Sequence, residues 1–288
     1  MTESIPIKLS YKVFKPAGGK GKNLSPIIFI HGLSGSKENW IDIAQLIADG
    51  SQRTAYAYDA RNHGDSQFTE SFNFDLNVED LFQFMDTIDV PKAVLVGHSM
   101  GGITAIRAAL KNPERVEMVF IEDMFTKKLP AEILKFVSDF LKLWLVSVSE
   151  IPNDLDPDDA VKHALEDLYS KIPPDAPDVT EKEKLFNSGI QLKRSSDGSY
   201  DVKFNKDVII PILTKIDEIM TEPVGQFDGP AYFIYGALSP FFVGKEEAHI
   251  KKHFPNAELI EFEGATHNVH FEFPEKLIET VLQRLKIN

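Results

Sequence analysis

A glycine-bounded turn between an apolar run and an amphipathic segment is the feature that most restricts the fold of this chain. Residues 93–96 (AVLV) are continuously apolar, residues 97–102 (GHSMGG) follow directly, and residues 100–110 have the apolar spacing of a helix. An apolar run without alternation is typical of a strand buried on both faces of a parallel sheet. A strand, a tight turn and a helix in this order predict a nucleophile elbow with Ser99 at its tip.

Strand-like and helical segments alternate on both sides of this turn. The strand-like runs are 26–30, 54–58, 93–96, 116–121, 231–235 and 258–262, and the helical segments are 40–48, 76–88, 100–110, 245–253 and 274–285. Such alternation predicts a parallel sheet with right-handed crossovers. The alternation is interrupted from about residue 125 to residue 227. We therefore expect an α/β core formed by residues 1–124 and 228–288, with residues 125–227 forming a mainly helical lid or cap.

Some segments outside this alternation also carry predictions. Residues 5–14 alternate like a half-exposed strand, and the glycine- and lysine-rich residues 17–23 indicate a hairpin turn. The helical segment 129–146 has apolar residues on more than one face, so it must pack against two surfaces. Packing onto core and lid, lining of an acyl pocket and docking at a membrane interface remain open for it.

The remainder of the insertion is rich in turn signals. Asp156 followed by Pro157 favours a capped helix start over a calcium loop, because the glycine and glutamate of such a loop are missing. The prolines within residues 173–177 indicate a connector, and residues 195–199 indicate a hairpin tip.

Composition excludes several classes of protein. The 288-residue chain has a net charge of −13 and no cysteine. An acidic chain repels phosphate groups, so nucleic acid is not an expected partner, and a neutral ester is a more favourable ligand than a polyanion. Without cysteine there are no disulfides or thiolate zinc sites, and neither a metal nor another cofactor is expected. No run approaches the roughly 20 apolar residues of a membrane span, and no targeting pattern is recognisable, which predicts a cytoplasmic protein as the sequence stands.

An attacking serine needs a base, and the order nucleophile, acid, base along the chain points to His267. This residue lies in the loop after the last strand-like run, where an imidazole can reach back over the sheet edge. His31 is the alternative base, although a histidine that opens such a loop more often props it by hydrogen bonding. Gly97 and Gly101 are expected where neighbouring backbones come too close for a Cβ atom.

The tetrahedral intermediate needs preorganised N–H donors for its oxyanion. The N–H of Met100, at the start of a helix, is one candidate. The loop after residues 26–30 offers the second, which we assign to the N–H of Leu33 because Gly32 lets the backbone approach. Asp59, after residues 54–58, is a tempting carboxylate but is expected to support the elbow by hydrogen bonding.

The acid has two candidates. Its usual place after residues 231–235 holds no carboxylate until Glu246. Glu122 and Asp123 end the run beside that of Ser99, and neighbouring strands are only about 4.8 Å apart. We predict that Asp123 holds His267 in one tautomer and stabilises its imidazolium, with Glu122 as the alternative.

Four sequence runs together resemble one group of enzymes. They are residues 31–37 (HGLSGSK), 59–66 (DARNHGDS), 96–102 (VGHSMGG) and 266–270 (THNVH). In these runs the chain is similar to the α/β hydrolases around abhydrolase domain-containing protein eleven, the bacterial YbfF esterases and the yeast ethanol acetyltransferases. The resemblance implies an α/β-hydrolase fold, with a mostly parallel eight-stranded sheet flanked by helices and a helical lid inserted after the sixth strand.

The resemblance also has implications for the site. It implies a triad of Ser99, Asp123 and His267, with Ser239 hydrogen-bonded into it as a fourth member. It further implies a mitochondrial location if a presequence has been removed.

The expected activity is hydrolysis of neutral acyl esters through an acyl-enzyme, as in carboxylesterases and lipases. Alcohol acyltransfer uses the same acyl-enzyme and is the first alternative, and a non-catalytic binding protein is the second. Four aromatic residues are expected to line the substrate pocket: Phe125, Phe140, Trp144 and Phe241. The sequence leaves the oligomeric state open.

Overall fold

Strands and helices alternate along the chain in the computed structural model, which describes residues 7–18, 24–171 and 191–287. The strands are β1 (Tyr11–Phe14), β2 (Ile27–Ile30), β3 (Ala55–Tyr58), β4 (Ala93–His98), β5 (Val116–Glu122), β6 (Leu192–Arg194), β7 (Tyr200–Val202), β8 (Ala231–Gly236) and β9 (Ala257–Phe262). The helices are α1 (Ile41–Ser51), α2 (Phe74–Thr87), α3 (Met100–Lys111), α4 (Ala131–Ser149), α5 (Pro157–Lys171), α6 (Lys206–Ile212), α7 (Ile216–Ile219), α8 (Glu247–His253), α9 (Val269–Glu272) and α10 (Pro274–Ile287).

Seven strands form one sheet in the order β1-β3-β2-β4-β5-β8-β9. β1 is antiparallel to β3, and every other pair of neighbours in this sheet is parallel. The prediction of a mostly parallel sheet flanked by helices is confirmed. The predicted number of eight strands is wrong for the residues that the structure describes, and the insertion follows the fifth strand, β5, instead of a sixth.

The first segment differs from the single strand predicted for residues 5–14. Residues 7–10 lie outside the strands, and core side chains bind their backbone instead. The Ile7 N–H donates to Asp80 Oδ1 at 2.9 Å, and the Ser10 N–H donates to Ser66 Oγ at 2.8 Å. β1 then pairs with β3 and not with β2, so the hairpin predicted around residues 17–23 is wrong. Residues 19–23 themselves lie outside the described part of the chain.

Apolar side chains fill both faces of the sheet. On one face a buried cluster joins α2 and α3 to the insertion, with Leu81, Ile106 and Trp144 among its members. A second cluster packs α1 and α10 against the opposite face through residues such as Ile47 and Val281. Since consecutive residues of the central strands contribute to different clusters, these strands have no polar face, which explains their uninterrupted apolar sequence.

The segment between β5 and β8 contains helices and a small hairpin. β6 and β7 pair antiparallel around the predicted hairpin tip. α5 begins at Pro157, and Asp156 Oδ1 accepts from the N–H groups of Asp158 and Asp159, both at 3.0 Å, as expected for a helix cap. The predicted proline connector at residues 173–177 lies outside the described residues.

α4 is apolar on more than one side. Leu134, Leu141 and Trp144 are buried against the core, whereas Phe136 and Val146 are exposed. None of the helices in the described ranges is long and apolar enough to cross a membrane.

Candidate active site

A strained turn carries Ser99 between β4 and α3. Its φ is 50° and its ψ is −113°, a positive-φ conformation that costs a non-glycine residue energy and recurs at functional sites. Its N–H donates to the Glu122 carbonyl at 3.0 Å. A Cβ atom on Gly97 would lie 2.3 Å from the Gly101 oxygen, and one on Gly101 would lie 2.2 Å from the Ile30 oxygen. Both glycines are therefore required by the close approach of neighbouring backbone segments.

Asp123 is the buried carboxylate beside this turn. It follows β5 directly with a φ of 48°. Its Oδ2 contacts His267 Nδ1 at 2.6 Å and accepts from the Ser239 hydroxyl at 2.5 Å, while its Oδ1 accepts from the Gly236 N–H at 3.1 Å. An ionised carboxylate only accepts hydrogen bonds, so His267 Nδ1 carries a proton and Nε2 is left to accept one.

His267 lies in the turn after β9 and contacts His98, the residue that precedes Ser99. The Nε2–H of His98 donates to the His267 carbonyl at 3.0 Å, and the two ring centroids are 4.7 Å apart. Phe241 stacks on the His267 ring at 4.3 Å between centroids with an interplanar angle of 18°. The structure thus brings Ser99, Asp123 and His267 to the same edge of the sheet.

The loop after β2 borders Ser99. A Cβ atom on Gly32 would lie 2.6 Å from His98 Nδ1 and 3.4 Å from Ser99 Cβ, so only glycine permits this approach. Leu33 follows in the same loop, and Met100 is the first residue of α3. The N–H groups of Leu33 and Met100 therefore belong to two backbone segments that meet beside the serine. The helix N-terminus adds positive potential there.

His31 holds this loop in place. Its Nδ1–H donates to the Gly32 carbonyl at 2.7 Å, and its Nε2 accepts from the Ala60 N–H at 2.9 Å. Burial lowers the pKa of His31 to about 4. With both ring nitrogens bound to backbone groups, the geometry favours the propping role over that of a base.

Asp59 also binds loops, but not the elbow to which the sequence assigned it. It is buried and accepts from the backbone N–H and the Nζ of Lys37, both at 2.7 Å, and from the Asp65 N–H at 2.8 Å. A Cβ atom on Gly64 would lie 2.2 Å from the Asp59 carboxyl carbon. The loop after β3 therefore folds back over Asp59 and directs its oxygens to the loops after β2 and β3.

Glu122, the alternative acid, binds a different histidine. Its Oε1 contacts His270 Nδ1 at 2.6 Å and accepts from the His270 N–H at 2.8 Å. Burial raises the pKa of Glu122 to about 7 and lowers that of His270 to about 3. Sequence reasoning gave no role to His98 or His270. The signal that could have found them is their spacing, since His98 precedes Ser99 and His270 follows His267 by three residues.

These buried groups are also the potential metal ligands in the described part of the chain. One ligand atom each from His98, Glu122 and His270 lies within 4.8 Å of the other two. Two of the ring nitrogens already make hydrogen bonds: His98 Nε2 binds the His267 carbonyl, and His270 Nδ1 binds Glu122 Oε1.

Two further histidines, four residues apart on α8, are hydrogen-bonded to other segments of the chain. His253 is buried and its Nδ1–H donates to the Gly225 carbonyl at 2.8 Å. His249 is half-buried, and its Nδ1 lies 2.7 Å from Thr126 Oγ1. α8 therefore packs through these two rings, instead of presenting them to solvent, and binds the chain just after β5.

The four aromatic residues expected in the substrate pocket share one apolar cluster. Phe125, Trp144 and Phe241 are buried within it, and Phe140 packs against it half-buried. Met100 belongs to the same cluster. An apolar region therefore runs from the start of α3 into the insertion.

The parallel sheet, together with a serine at a strained turn after its central strand, defines an α/β hydrolase. The chain belongs to the α/β hydrolase fold family, whose sequence model matches residues 25–274. The resemblance drawn from the four sequence runs is thereby confirmed.

Individual proteins with similar sequences carry both enzyme names that the resemblance implied. The chain is 27% identical to the sn-1-specific diacylglycerol lipase ABHD11 of Danio rerio, over 99% of this chain and 85% of the relative. It is 26% identical to ethanol acetyltransferase 1 of Cyberlindnera fabianii, over 96% of this chain and 85% of the relative. Among solved structures, a marine microorganism esterase is 28% identical with a TM-score of 0.75, covering 96% of this chain and 99% of the esterase.

Proposed function

We propose that this hydrolase cleaves neutral carboxylic esters through an acyl-enzyme on Ser99, with His267 as general base and Asp123 as the acid that orients it. The observation that carries the proposal is the 2.6 Å contact between Asp123 Oδ2 and His267 Nδ1, at the sheet edge where Ser99 follows β4. Acyl transfer by a serine requires a base within hydrogen-bonding distance of the nucleophile and an acid that orients the base.

The reaction follows from these positions. Ser99 Oγ attacks the ester carbonyl carbon while its proton passes to His267 Nε2. The resulting oxyanion accepts hydrogen bonds from the N–H groups of Leu33 and Met100, and Asp123 stabilises the imidazolium through Nδ1. The bond to the leaving alkoxide then breaks, and His267 returns the proton to it. A water molecule repeats the sequence on the acyl-enzyme and releases the carboxylic acid.

The apolar cluster gives the acyl chain a binding region. Phe125, Trp144 and Phe241 are large apolar side chains, and Phe241 stacks directly on the proposed base. We assign the acyl pocket to them and to Phe140, with residues 125–227 as the lid that covers it. A pocket of this kind favours uncharged acyl groups, which agrees with the net charge of −13.

Alcohol acyltransfer is a second candidate, favoured by the similarity to ethanol acetyltransferase 1. The same acyl-enzyme would form, and an alcohol in place of water would accept the acyl group. Gas chromatography of ester and acid products, at a fixed alcohol concentration, separates the two. Acid as the dominant product supports hydrolysis, and ester in excess supports acyltransfer.

Two assays test the site. The first is labelling by a fluorophosphonate probe, and the second is turnover of p-nitrophenyl esters of increasing chain length. Ser99→Ala should lose both, whereas Ser196→Ala, at an exposed serine of the β6–β7 turn, serves as the matched control. Labelling and turnover that survive in Ser99→Ala would refute the proposed nucleophile.

A further inference from the structure

A second carboxylate–imidazole pair lies beside the pair formed by Asp123 and His267. Glu122 and His270 are each 2% exposed, and Glu122 Oε1 binds both Nδ1 and the backbone N–H of His270. Glu122 is the sequence neighbour of Asp123, and His270 follows His267 by three residues. The two pairs therefore join the same two chain segments in parallel.

His98 connects this second pair to the proposed base. It donates to the His267 carbonyl, and its ring centroid lies 4.7 Å from those of both His267 and His270. The Ser99 N–H in turn donates to the Glu122 carbonyl at 3.0 Å. The sequence neighbours of Ser99 and Asp123 are thus bound to the loop that carries His267.

We propose that Glu122 is a positioning residue for His267, acting in its ionised form through His270 and through its own negative charge. This inference rests on the proposed function of Ser99 and His267. The bond to His270 fixes the turn that carries His267. The charge favours the imidazolium that forms on His267 during proton transfer.

The surroundings of Glu122 support an electrostatic role. The titratable groups that face it are His98 on β4, His267 and His270 on the segment after β9, and the adjacent Asp123. Burial lowers the pKa of His98 and of His270, so these two rings are neutral at pH 7. The imidazolium of His267 is therefore the positive charge available to a Glu122 carboxylate, and the attraction between them is reciprocal.

The carboxylate is also weakly screened. Its Oε2 is buried and has no hydrogen-bond partner among the described residues. The ring of Trp40, which carries no charge, stacks on His270 at 4.5 Å between centroids. In such a medium a charge acts on its neighbours more strongly than it would in water.

The pH dependence of kcat/KM for an uncharged ester tests the proposal. A Glu122 carboxylate favours the protonated form of His267, so removing its charge should move the acid limb of log(kcat/KM) to lower pH. Glu122→Gln keeps the side-chain shape and an oxygen for the His270 N–H but removes the charge. We expect a half-maximal pH lower by roughly half a unit to one unit, and a kcat about three- to tenfold lower at pH 8.

Glu272→Gln is the matched control on the same loop. Glu272 Oε2 accepts from the Thr266 N–H at 2.7 Å, but the side chain is half-exposed, so solvent screens its charge. This variant should keep the half-maximal pH and the kcat of the unaltered enzyme. An acid limb and kcat in Glu122→Gln equal to those of the unaltered enzyme would overturn the proposal.

Two further measurements keep the outcome decisive. If Glu122→Gln does not fold, as judged by circular dichroism, His270→Phe takes its place, because it keeps a ring but removes the nitrogen that Glu122 Oε1 binds. A kcat equal to that of the unaltered enzyme in this variant overturns the proposal. Activity that is lost on treatment with a chelator and restored by Zn²⁺ would also overturn it, since the cluster would then be a metal site. Esterase activity in Ser99→Ala refutes the proposed function itself, whereas an inactive Ser99→Ala with an unaltered Glu122→Gln profile refutes this inference alone.

Discussion

Replacing Glu122 by glutamine should stabilise the protein at alkaline pH. Burial raises the pKa of Glu122 from 4.5 to about 7, so the folded state binds this proton more tightly than the unfolded state does. Between pH 4.5 and about pH 7 the Glu122 carboxyl is ionised in the unfolded state but still protonated in the folded state. The free energy of unfolding therefore falls as the pH rises through this range. At about 1.4 kcal/mol per pH unit, the full cost of the buried charge is roughly 3 kcal/mol above pH 7 and vanishes below pH 4.5.

This cost can be measured by urea unfolding of both proteins at intervals from pH 4.5 to pH 8. Unfolding is followed by fluorescence and by circular dichroism. The difference in free energy of unfolding between Glu122→Gln and the unaltered protein should grow in favour of the variant by up to about 3 kcal/mol across that range. Glu279→Gln, at an exposed carboxylate of α10 that folding leaves in solvent, is the control and should show no such growth. A difference for Glu122→Gln that stays constant with pH would refute the reasoning.

Other substitutions test the geometry of the site. Asp123→Asn should lower kcat on the order of 10⁴-fold in steady-state assays by favouring the wrong His267 tautomer, and an almost unchanged kcat would contradict this role. Ser239→Ala removes a donor to Asp123 and should lower kcat about 10- to 100-fold, as expected for a hydrogen bond to a charged group; a change in KM alone would contradict it. Gly97→Ala should lower the melting temperature and abolish probe labelling, because its Cβ would lie 2.3 Å from the Gly101 oxygen; a labelled variant of unaltered stability would contradict it.

Much of the core could be predicted from short-range patterns. The uninterrupted apolar runs correspond to β2, β3 and β4, because burial on both faces leaves no room for polar alternation. The other strand-like runs correspond to β5, β8 and β9. The nucleophile elbow could also be predicted from the sequence. Ser99 lies at positive φ between two close backbone approaches, and these approaches require glycine at positions 97 and 101. Asp156 and Pro157 likewise marked the start of α5 through local capping chemistry.

The first strand was predicted less well. The glycine- and lysine-rich residues 17–23 favoured a hairpin after it, yet β1 pairs with β3. The sequence gives the period of a strand but not its partner, and the competing bonds of Ile7 and Ser10 to Asp80 and Ser66 come from residues more than 50 positions away. The hydrogen-bond partners of Asp59 were hard to predict for a similar reason, because they depend on how the loop at Gly64 folds back.

The sequence by itself determined the kinds of element, the sharp turn at Ser99 and the family to which the chain belongs, because each of these is written in residues close to one another along the chain. Tertiary structure alone decided which carboxylate meets which imidazole. Asp123 and His267 are 144 positions apart and Glu122 and His270 are 148 apart, and adjacent residues at the end of a strand point in different directions. Only the folded sheet edge could direct one acid to His267 and bury the other against His270.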